Sequence, residues 1–478
     1  MEKIVPKIGV LLIGTGRFRY MGQGTEDGTY ELRKEKEAAK YLEGIAKIGE
    51  VVYTRNVYTR EDLAEQMEQF HKEKVDCVFA LFLSWSEDFV WVRFVRDMAP
   101  MPVLFAHRVR DSIDFGATYA ENDFVEYLSA GGLVGSLEAS GTIARFNRPM
   151  METTVGTYDQ IMARLAQFAP AAAIRSKLRN SNFALLASYN EVMWGTYIDP
   201  YMFFAKAGPE VRFVSVATLA KEIENVSDER VEEAYNWLVE RYEVLPDVDK
   251  EKFLASIRAS IALENTARSV GASALVLNDV DTVLLTEVGL RPGFIPSPGG
   301  EGDVTIVPEG DMGGGLITHV LRLLSGSAVN FIEPFHIDLP KNCFVGGHAG
   351  PNDYSDPRGK VMIARDVRFA KTNYKHAGAP FAWYIIPEGR KTMAHISQSA
   401  NGGLKLVCGL VDALPATHEI TSYSHGSFRP VGIDIQEYFA KLLNIGVTQH
   451  YGVVEGDYIA ELRDFAKIMD MEFTYLNE

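Results

Sequence analysis

Four short motifs in the second half of the chain contain acids or imidazoles that could bind a metal or move a proton. Glu309 stands in VPEGDMGGGL, at the turn into a helical pattern, where backbone amides can fix the direction of its carboxylate oxygens. Asp311, two residues later, is better interpreted as the N-cap of that helix. Glu333 interrupts the apolar segment NFIEPFH, and a carboxylate is costly to bury unless a cation meets it. Its structural alternative is an edge-strand residue that faces water.

Two histidines complete this set. His348 ends an apolar run in FVGGHAG, where glycines allow a ligand to come close to the backbone, and His450 follows much later in VTQHYG. A lone histidine in such a position is more often structural than metal-bound. Together, however, two carboxylates and two imidazoles supply the mixed oxygen and nitrogen donors that suit manganese, cobalt or a similar divalent ion. Their spacing alone does not link them.

A glycine turn after the first apolar run is a further candidate site. A dinucleotide-binding fingerprint would need a third glycine where GTGRFR has Arg19, and an acid after the next strand, where the chain has Tyr53 and Thr54. The sequence therefore does not favour a nicotinamide cofactor. Arg17 and Arg19 could instead meet polar or anionic substrate groups at the carboxyl end of a sheet, or they could be ordinary surface arginines.

Strand and helix patterns alternate over the first two thirds of the chain. In the first alternation the strand patterns lie at 7–14, 50–53, 76–83 and 102–107. After a polar and basic stretch at 170–182, which marks a boundary, they resume at 182–189, 211–216 and 273–279. Such alternation implies crossover connections and parallel, doubly wound sheets.

The texture of the sequence changes from about residue 327, where short apolar runs separated by Gly, Pro, Asn and Asp are typical of antiparallel strands joined by tight turns. The predicted fold class is therefore α/β, with two doubly wound parallel-sheet domains followed by a mainly antiparallel β domain at the C-terminus. We place the domains at 1–175, 176–326 and 327–478. The second would carry Glu309, and the third the other three candidate ligands.

Composition limits the classes of partner. The chain has 478 residues, 47% apolar and 23% charged, which predicts a globular protein of about three domains. A net charge of -16 without a basic run among aromatics argues against nucleic acid. Three cysteines in no close pair argue for a reducing compartment, the cytoplasm. Without a signal-peptide pattern or a long apolar run, no membrane partner is expected.

The order of the four motifs resembles the L-arabinose isomerase and L-fucose isomerase superfamily, and is closer to the arabinose branch. The resemblance rests on PEGD, an apolar strand containing Glu, a glycine-rich turn ending in His, and QH. It extends weakly to CVFALFLSWSEDFVWVRFVRDMAPMPVLFAH and ARSVGASALVLNDVDTVL. It implies a manganese-dependent interconversion of an aldose and a ketose in the cytoplasm by a homo-oligomer, a trimer or hexamer. The chain departs from the family in its short length and in TGRFR, where a Gln-containing turn is usual.

The same resemblance implies the roles of the candidate residues. Glu309 and Glu333 would be the catalytic acid and base and would also bind the metal, with His348 and His450 as neutral ligands. Which glutamate takes the proton from carbon stays open, as does the choice between an enediol intermediate and a hydride shift. The candidate residues for contact with the sugar are Arg17, Arg19, Met193 and Gln449.

Two other functions are compatible with the sequence. The substrate could be an anionic hexose, sulfonated or carboxylated, recognised by Arg17 and Arg19 with help from the HRVR cluster at 107–110. Alternatively, two successive α/β domains could form a non-catalytic sugar-binding protein, which would need neither a metal nor acids and histidines in a third domain.

Overall fold

The structure is a computed structural model that describes residues 2–98, 100–110, 112, 115–116, 119–130, 132–146, 150–289, 292–300 and 302–478. The chain divides into two compact units. The first unit runs from Val5 to Ser176, and the second contains the N-terminal residues up to Ile4 together with Lys177–Glu478. The domain boundary predicted after residue 175 falls beside the end of the first unit. The one predicted at 326–327 lies inside the second unit, between its two sheets.

The first unit is an alternation of strands and helices. In chain order its elements are β1 (Lys7–Ile13), α1 (Tyr30–Ala46), β2 (Glu50–Val52), α2 (Arg60–Glu73), β3 (Cys77–Phe82), α3 (Asp88–Asp97), β4 (Val103–Arg108), α4 (Glu121–Ala130), α5 (Gly132–Phe146), β5 (Met151–Gly156) and α6 (Tyr158–Arg179). The strands pair in parallel in the order β2-β1-β3-β4-β5. Because β3 is buried at every position, its sequence shows a continuous apolar run instead of an alternation.

The stretch 170–182, taken from the sequence as a boundary, is largely helical. Helix α6 continues through Pro170 to Arg179, and the division between the two units falls within its last turn. The alanines that follow Pro170 favour a helix, and they are buried. The segment resembles a linker in sequence because it contains a proline and several charges, but it packs as a helix.

The second unit begins with a parallel sheet. Its elements are β6 (Asn182–Leu186), α7 (Pro200–Met202), β7 (Glu210–Val214), α8 (Val216–Asn225), α9 (Asp228–Arg241), β8 (Glu243–Val244), α10 (Lys250–Ser269), β9 (Ala274–Leu277), β10 (Thr305–Val307) and α11 (Met312–Ser325). Four of these strands pair in parallel in the order β10-β9-β6-β7. Strand β10, the last of the four along the chain, has only three residues, and its sequence did not indicate a strand.

A larger and mainly antiparallel sheet follows. Its elements are β11 (Val329–Asp338), β12 (Cys343–Ala349), β13 (Lys360–Arg365), β14 (Pro380–Ile385), β15 (Gly389–Gln398), β16 (Leu404–Leu414), β17 (Tyr423–Pro430), α12 (Ile435–Ile445), β18 (Tyr451–Glu455), α13 (Ile459–Ile468) and β19 (Glu472–Tyr475). The order is β19-β16-β15-β18-β11-β12-β17-β14-β13-β8. A further pairing of β16 with β17 closes six antiparallel strands into a ring.

These sheets confirm the predicted fold class: two parallel sheets with helices, followed by a large, mostly antiparallel one. The core of the second unit is continuous across its two sheets, because Leu275 of β9, Ile332 of β11 and Val453 of β18 belong to one cluster of buried side chains. None of the helices in the described part of the chain is both long and apolar enough to cross a membrane.

Candidate metal centre

Glu309 follows β10 at the carboxyl edge of the parallel sheet in the second unit. Its φ is +63°, an uncommon conformation for a residue with a side chain, and Gly310 follows with a φ of +70°. The Glu309 backbone N–H donates to Asp279 Oδ1 at 2.9 Å, and that of Gly310 donates to the carbonyl of Leu277 at 3.0 Å. Strained backbone held by such contacts is typical of functional sites, and here it fixes the direction of the Glu309 carboxylate.

Asp311 has two partners. Its Oδ1 accepts the backbone N–H of Gly314 at 2.8 Å, as expected of the N-cap of α11. Its Oδ2 accepts a hydrogen bond from His450 Nδ1, also at 2.8 Å. A carboxylate in this position fixes the orientation of the imidazole ring and directs Nε2 away from Asp311, as outer partners of metal-binding histidines do.

His450 lies immediately before β18, in the loop that enters that strand. Its side chain is fully buried, and Nε2 lies 3.0 Å from Glu309 Oε2 and 3.5 Å from Glu333 Oε1. The pairing of Ile332 with Tyr451 explains this closeness, because Glu333 and His450 are the next residues on the two antiparallel strands. The sheet therefore brings together two residues that lie far apart in the sequence.

His348 lies near the end of β12, where β12 pairs with both β11 and β17. Its Nδ1 lies 3.1 Å from the carbonyl oxygen of Ala349, to which it can only donate, so Nε2 is the ring nitrogen that faces Glu309. That Nε2 atom is buried and has no hydrogen-bond partner among the described residues, although Glu309 Oε1 lies 3.7 Å away. A buried imidazole nitrogen without a partner is the arrangement that a cation would satisfy.

Phe331 packs against both imidazoles. Its ring centroid lies 5.3 Å from that of His348 and 4.7 Å from that of His450. Asn352 holds the Phe331 backbone on both sides, because it accepts from the N–H at 3.0 Å and donates to the carbonyl at 2.8 Å. An apolar ring held in this way limits the rotation of the two histidines.

Three carboxylates lie near the imidazole of His450. Burial disfavours the imidazolium, but hydrogen bonds to Asp311 and Glu309 and the nearby Glu333 hold the pKa of His450 well above its usual value. Burial likewise opposes ionisation of Glu309, yet the His450 hydrogen bond and the charges of both imidazoles hold the pKa of Glu309 below its usual range. A proton on His450 Nε2 therefore attracts the carboxylates of Glu309 and Glu333, as a divalent ion bound to that nitrogen would.

The donor set fits a divalent metal. Glu309, His348 and His450 each offer one atom, and these three atoms all lie within 4.8 Å of one another. Glu333 lies outside that group of three, although its Oε1 is close to His450. Oxygen and imidazole nitrogen donors without a thiolate suit manganese or cobalt. The residues that could hold the ion are therefore Glu309, His348 and His450, with Glu333 beside them.

No protein-family model and no curated protein matches this chain.

Two of the four residues predicted to contact the sugar lie beside the cluster. Gln449 precedes His450, and its Nε2 lies 3.3 Å from the sulfur of Met193, in the loop after β6. Both side chains are partly exposed. A narrow cavity also reaches His348 and is lined by Asp279 and Arg368. The His348 side of the cluster thus borders a cavity with a mostly apolar lining and a few charged groups.

The other two, Arg17 and Arg19, belong to the first unit, and both have carboxylate partners there. Arg17 Nε lies 2.9 Å from Glu87 Oε1. Arg19 donates from Nε to Glu31 Oε1 at 3.0 Å, and its guanidinium lies over the Tyr58 ring at 5.0 Å from the centroid. Both arginines thus form salt bridges within the first unit, as arginines without a role in substrate binding would.

Three polar residues near the cluster, Asp279, His395 and Thr448, were not identified from the sequence as functional. Asp279 follows β9, and burial together with the charge of Glu309 raises its pKa. His395 lies on β15, where burial lowers its pKa to about 4, and its Nε2 is 3.0 Å from the hydroxyl of Thr448. For Asp279 a signal was present, since an acid just after a parallel strand lies at the edge where such sheets bind ligands. For the other two there was none.

Proposed function

We propose that the chain is a divalent-metal-dependent enzyme that interconverts an aldose and a ketose at this cluster. One observation carries the proposal: Glu309, His348 and His450 converge from distant parts of the chain, and His348 Nε2 is buried without a hydrogen-bond partner. Sequence resemblance supplies the reaction class. Manganese or cobalt, when bound, would act as a Lewis acid on the two adjacent sugar oxygens and stabilise negative charge on them.

Glu309 and Glu333 are the proton-transfer groups in this proposal. The reaction moves a proton from carbon 2 to carbon 1 while the two oxygens exchange roles, which needs one base on carbon and one group for the hydroxyl proton. Glu309 is ionised at neutral pH because its pKa is lowered, and its backbone is fixed by Asp279. Glu333 is the more exposed of the two carboxylates, with 23% of its side chain accessible against 12% for Glu309. Both can therefore reach a bound sugar.

The residues around the cluster have positioning roles. Asp311 orients His450, and Phe331 packs against both imidazoles. Gln449 and Met193 lie where a sugar hydroxyl could contact them. The homo-oligomer, a trimer or hexamer, and the cytoplasmic location belong to the same proposal and rest on resemblance alone. Sedimentation of the purified chain would test the oligomer.

The decisive experiment is a substrate panel. The purified chain is stripped of metal with a chelator, dialysed and supplied with Mn²⁺ or Co²⁺, and ketose formation is then measured from neutral and acidic aldoses. We expect conversion of at least one aldose that depends on added metal and is lost in Glu309→Gln. A chain that binds no divalent ion but still binds a sugar would be a binding protein instead.

The same panel addresses the nature of the substrate. Conversion restricted to sulfonated or carboxylated hexoses would favour the anionic substrate, whereas conversion of neutral aldoses would favour the arabinose-like one. The ion pairs of Arg17 and Arg19 with Glu87 and Glu31 favour the neutral sugar, because an anion would have to compete with carboxylates already bound. In deuterated water, label at carbon 1 of the ketose indicates the enediol route, and its absence at long times indicates a hydride shift.

A further inference from the structure

A cavity in the first unit carries an excess of positive charge. It has a volume of about 320 Å³. Among its described lining residues are six cationic side chains and two carboxylates, a formal excess of four positive charges in a chain whose net charge is -16. The cationic side chains are Arg33, Lys34, Lys36, Lys40, Arg108 and Arg110. Such a local reversal of sign attracts anions.

The cavity lies where parallel sheets bind ligands. Phe82 and Arg108, the last residues of β3 and β4, line it, as do Lys34 and Lys40 of α1. The carboxyl ends of the strands form the usual ligand edge of a doubly wound sheet. An adjoining recess of about 460 Å³ shares Lys40, Arg108 and Arg110, and adds one carboxylate, Asp159.

The carboxylates in the cavity do not neutralise its cations. Glu37 is shared, because Lys34 Nζ lies 2.7 Å from its Oε2 and Arg108 lies 2.8 Å from its Oε1. Glu126 is shared in the same way by Arg33, at 3.8 Å, and Arg110, and Arg33 also lies 3.9 Å from Asp27, which does not line the cavity.

Two further lysines add charge without a carboxylate partner. In the part of the chain that the structure describes, Lys36 and Lys40 form no ion pair, and Lys40 Nζ lies over the ring of Tyr158 at 4.3 Å. Neighbouring like charges repel each other, so a bound anion would stabilise this arrangement.

We propose that this cavity binds a small oxyanion of the phosphate-ester or sulfonate class. Guanidinium forks and ammonium groups converge there, and together they suit an anion with several equivalent oxygens. The volume matches a small metabolite. Phe82 supplies the one phenyl ring among the described lining residues, so a nucleobase would find little to stack on. This site is separate from the metal cluster, and its existence does not depend on the proposed isomerisation.

Calorimetric titration of the full-length chain tests the site directly. The metal-stripped and dialysed protein is titrated with inorganic phosphate, pyrophosphate and sulfate at constant ionic strength set with chloride. We expect saturable binding of one anion per chain. The preferred probe distinguishes a phosphate ester from a sulfonate. The double variant Lys36→Gln/Lys40→Gln and the variant Arg110→Gln should each weaken binding by about tenfold or more, the size of one lost charge-assisted hydrogen bond.

Two matched variants serve as controls. Lys47→Gln removes an exposed lysine just after α1 that does not line the cavity, and Glu309→Gln alters the metal cluster. Both should bind the anion as the native chain does, and circular dichroism should show that all variants are folded. The proposal is overturned if none of the three probes binds saturably, if Lys47→Gln weakens binding as much as the cavity variants do, or if Glu309→Gln abolishes it.

Discussion

The carboxylate of Asp311 can be altered without removing any of the candidate metal ligands. In Asp311→Asn the side chain keeps one oxygen and gains an NH₂ group. If the oxygen continues to accept from Gly314, the amide donates toward His450 Nδ1. The imidazole would then carry its proton on Nε2, the atom that faces Glu309. That tautomer cannot bind a metal through Nε2, so we expect weaker metal binding.

The size of the effect follows from the two contacts of Asp311. Both are 2.8 Å long, and asparagine caps helices as well as aspartate does, so the start of α11 should persist. The loss is then the orienting hydrogen bond to His450, and removal of such outer partners typically weakens metal binding about 10- to 100-fold. This corresponds to about 1.4–2.7 kcal/mol in binding free energy.

Competition titration with a chromophoric chelator measures the affinity for Mn²⁺ and Co²⁺. The matched control is Asp434→Asn, because Asp434 caps α12 with two backbone N–H groups and has no histidine partner among the described residues. We expect unchanged affinity in Asp434→Asn. Native affinity in Asp311→Asn, or an equal loss in both variants, would refute the orienting role of Asp311.

Three other predictions follow from individual residues. Glu309→Gln and Glu333→Gln should each lower turnover by about a hundredfold or more with an unchanged circular dichroism spectrum, and near-native turnover would remove that residue from the mechanism. Burial lowers the pKa of His319 to about 3, so below pH of about 6.5 the unfolded chain takes up a proton that the folded chain does not. Stability should therefore fall as pH drops through this range, by up to about 1.4 kcal/mol per pH unit, and urea unfolding of His319→Gln should show a shallower dependence. An identical slope would contradict this reasoning. Gly313→Ala should cost about 3 kcal/mol, because its Cβ would lie 1.9 Å from a facing backbone carbonyl. Gly141→Ala, whose Cβ meets no described heavy atom within 4 Å, should have a thermal midpoint near that of the native chain.

The fold was predictable where local patterns decide it. The apolar run at 7–14 predicted β1, because a strand buried on both faces leaves a clear signal. The ring of six strands was not predictable, since the pairing of β16 with β17 depends on the register of the whole sheet. The short strand β10 was missed because its three residues are too few to show a period.

For the site, residue types were more predictable than partners. The sequence and its resemblance pointed to Glu309, His348 and His450, and the structure brings them together. The sequence also identified Asp311 as a helix cap, which is a local role. Its second role, as partner of His450, joins residues 139 positions apart and leaves no local signal. The partners of Arg17 were hidden for the same reason.

The two-residue strand β8 has a consequence for how the polypeptide can be divided. It is parallel to β13 at the outer end of the ten-stranded sheet, through Glu243 beside Met362 and Val244 beside Ile363. A C-terminal fragment that starts at residue 327 would lack this strand and would expose the backbone of β13. An exposed strand edge of this kind promotes aggregation. On the ribosome, likewise, β8 emerges long before its neighbour exists. Strand β8 can therefore join the ten-stranded sheet only after β13 has been synthesised.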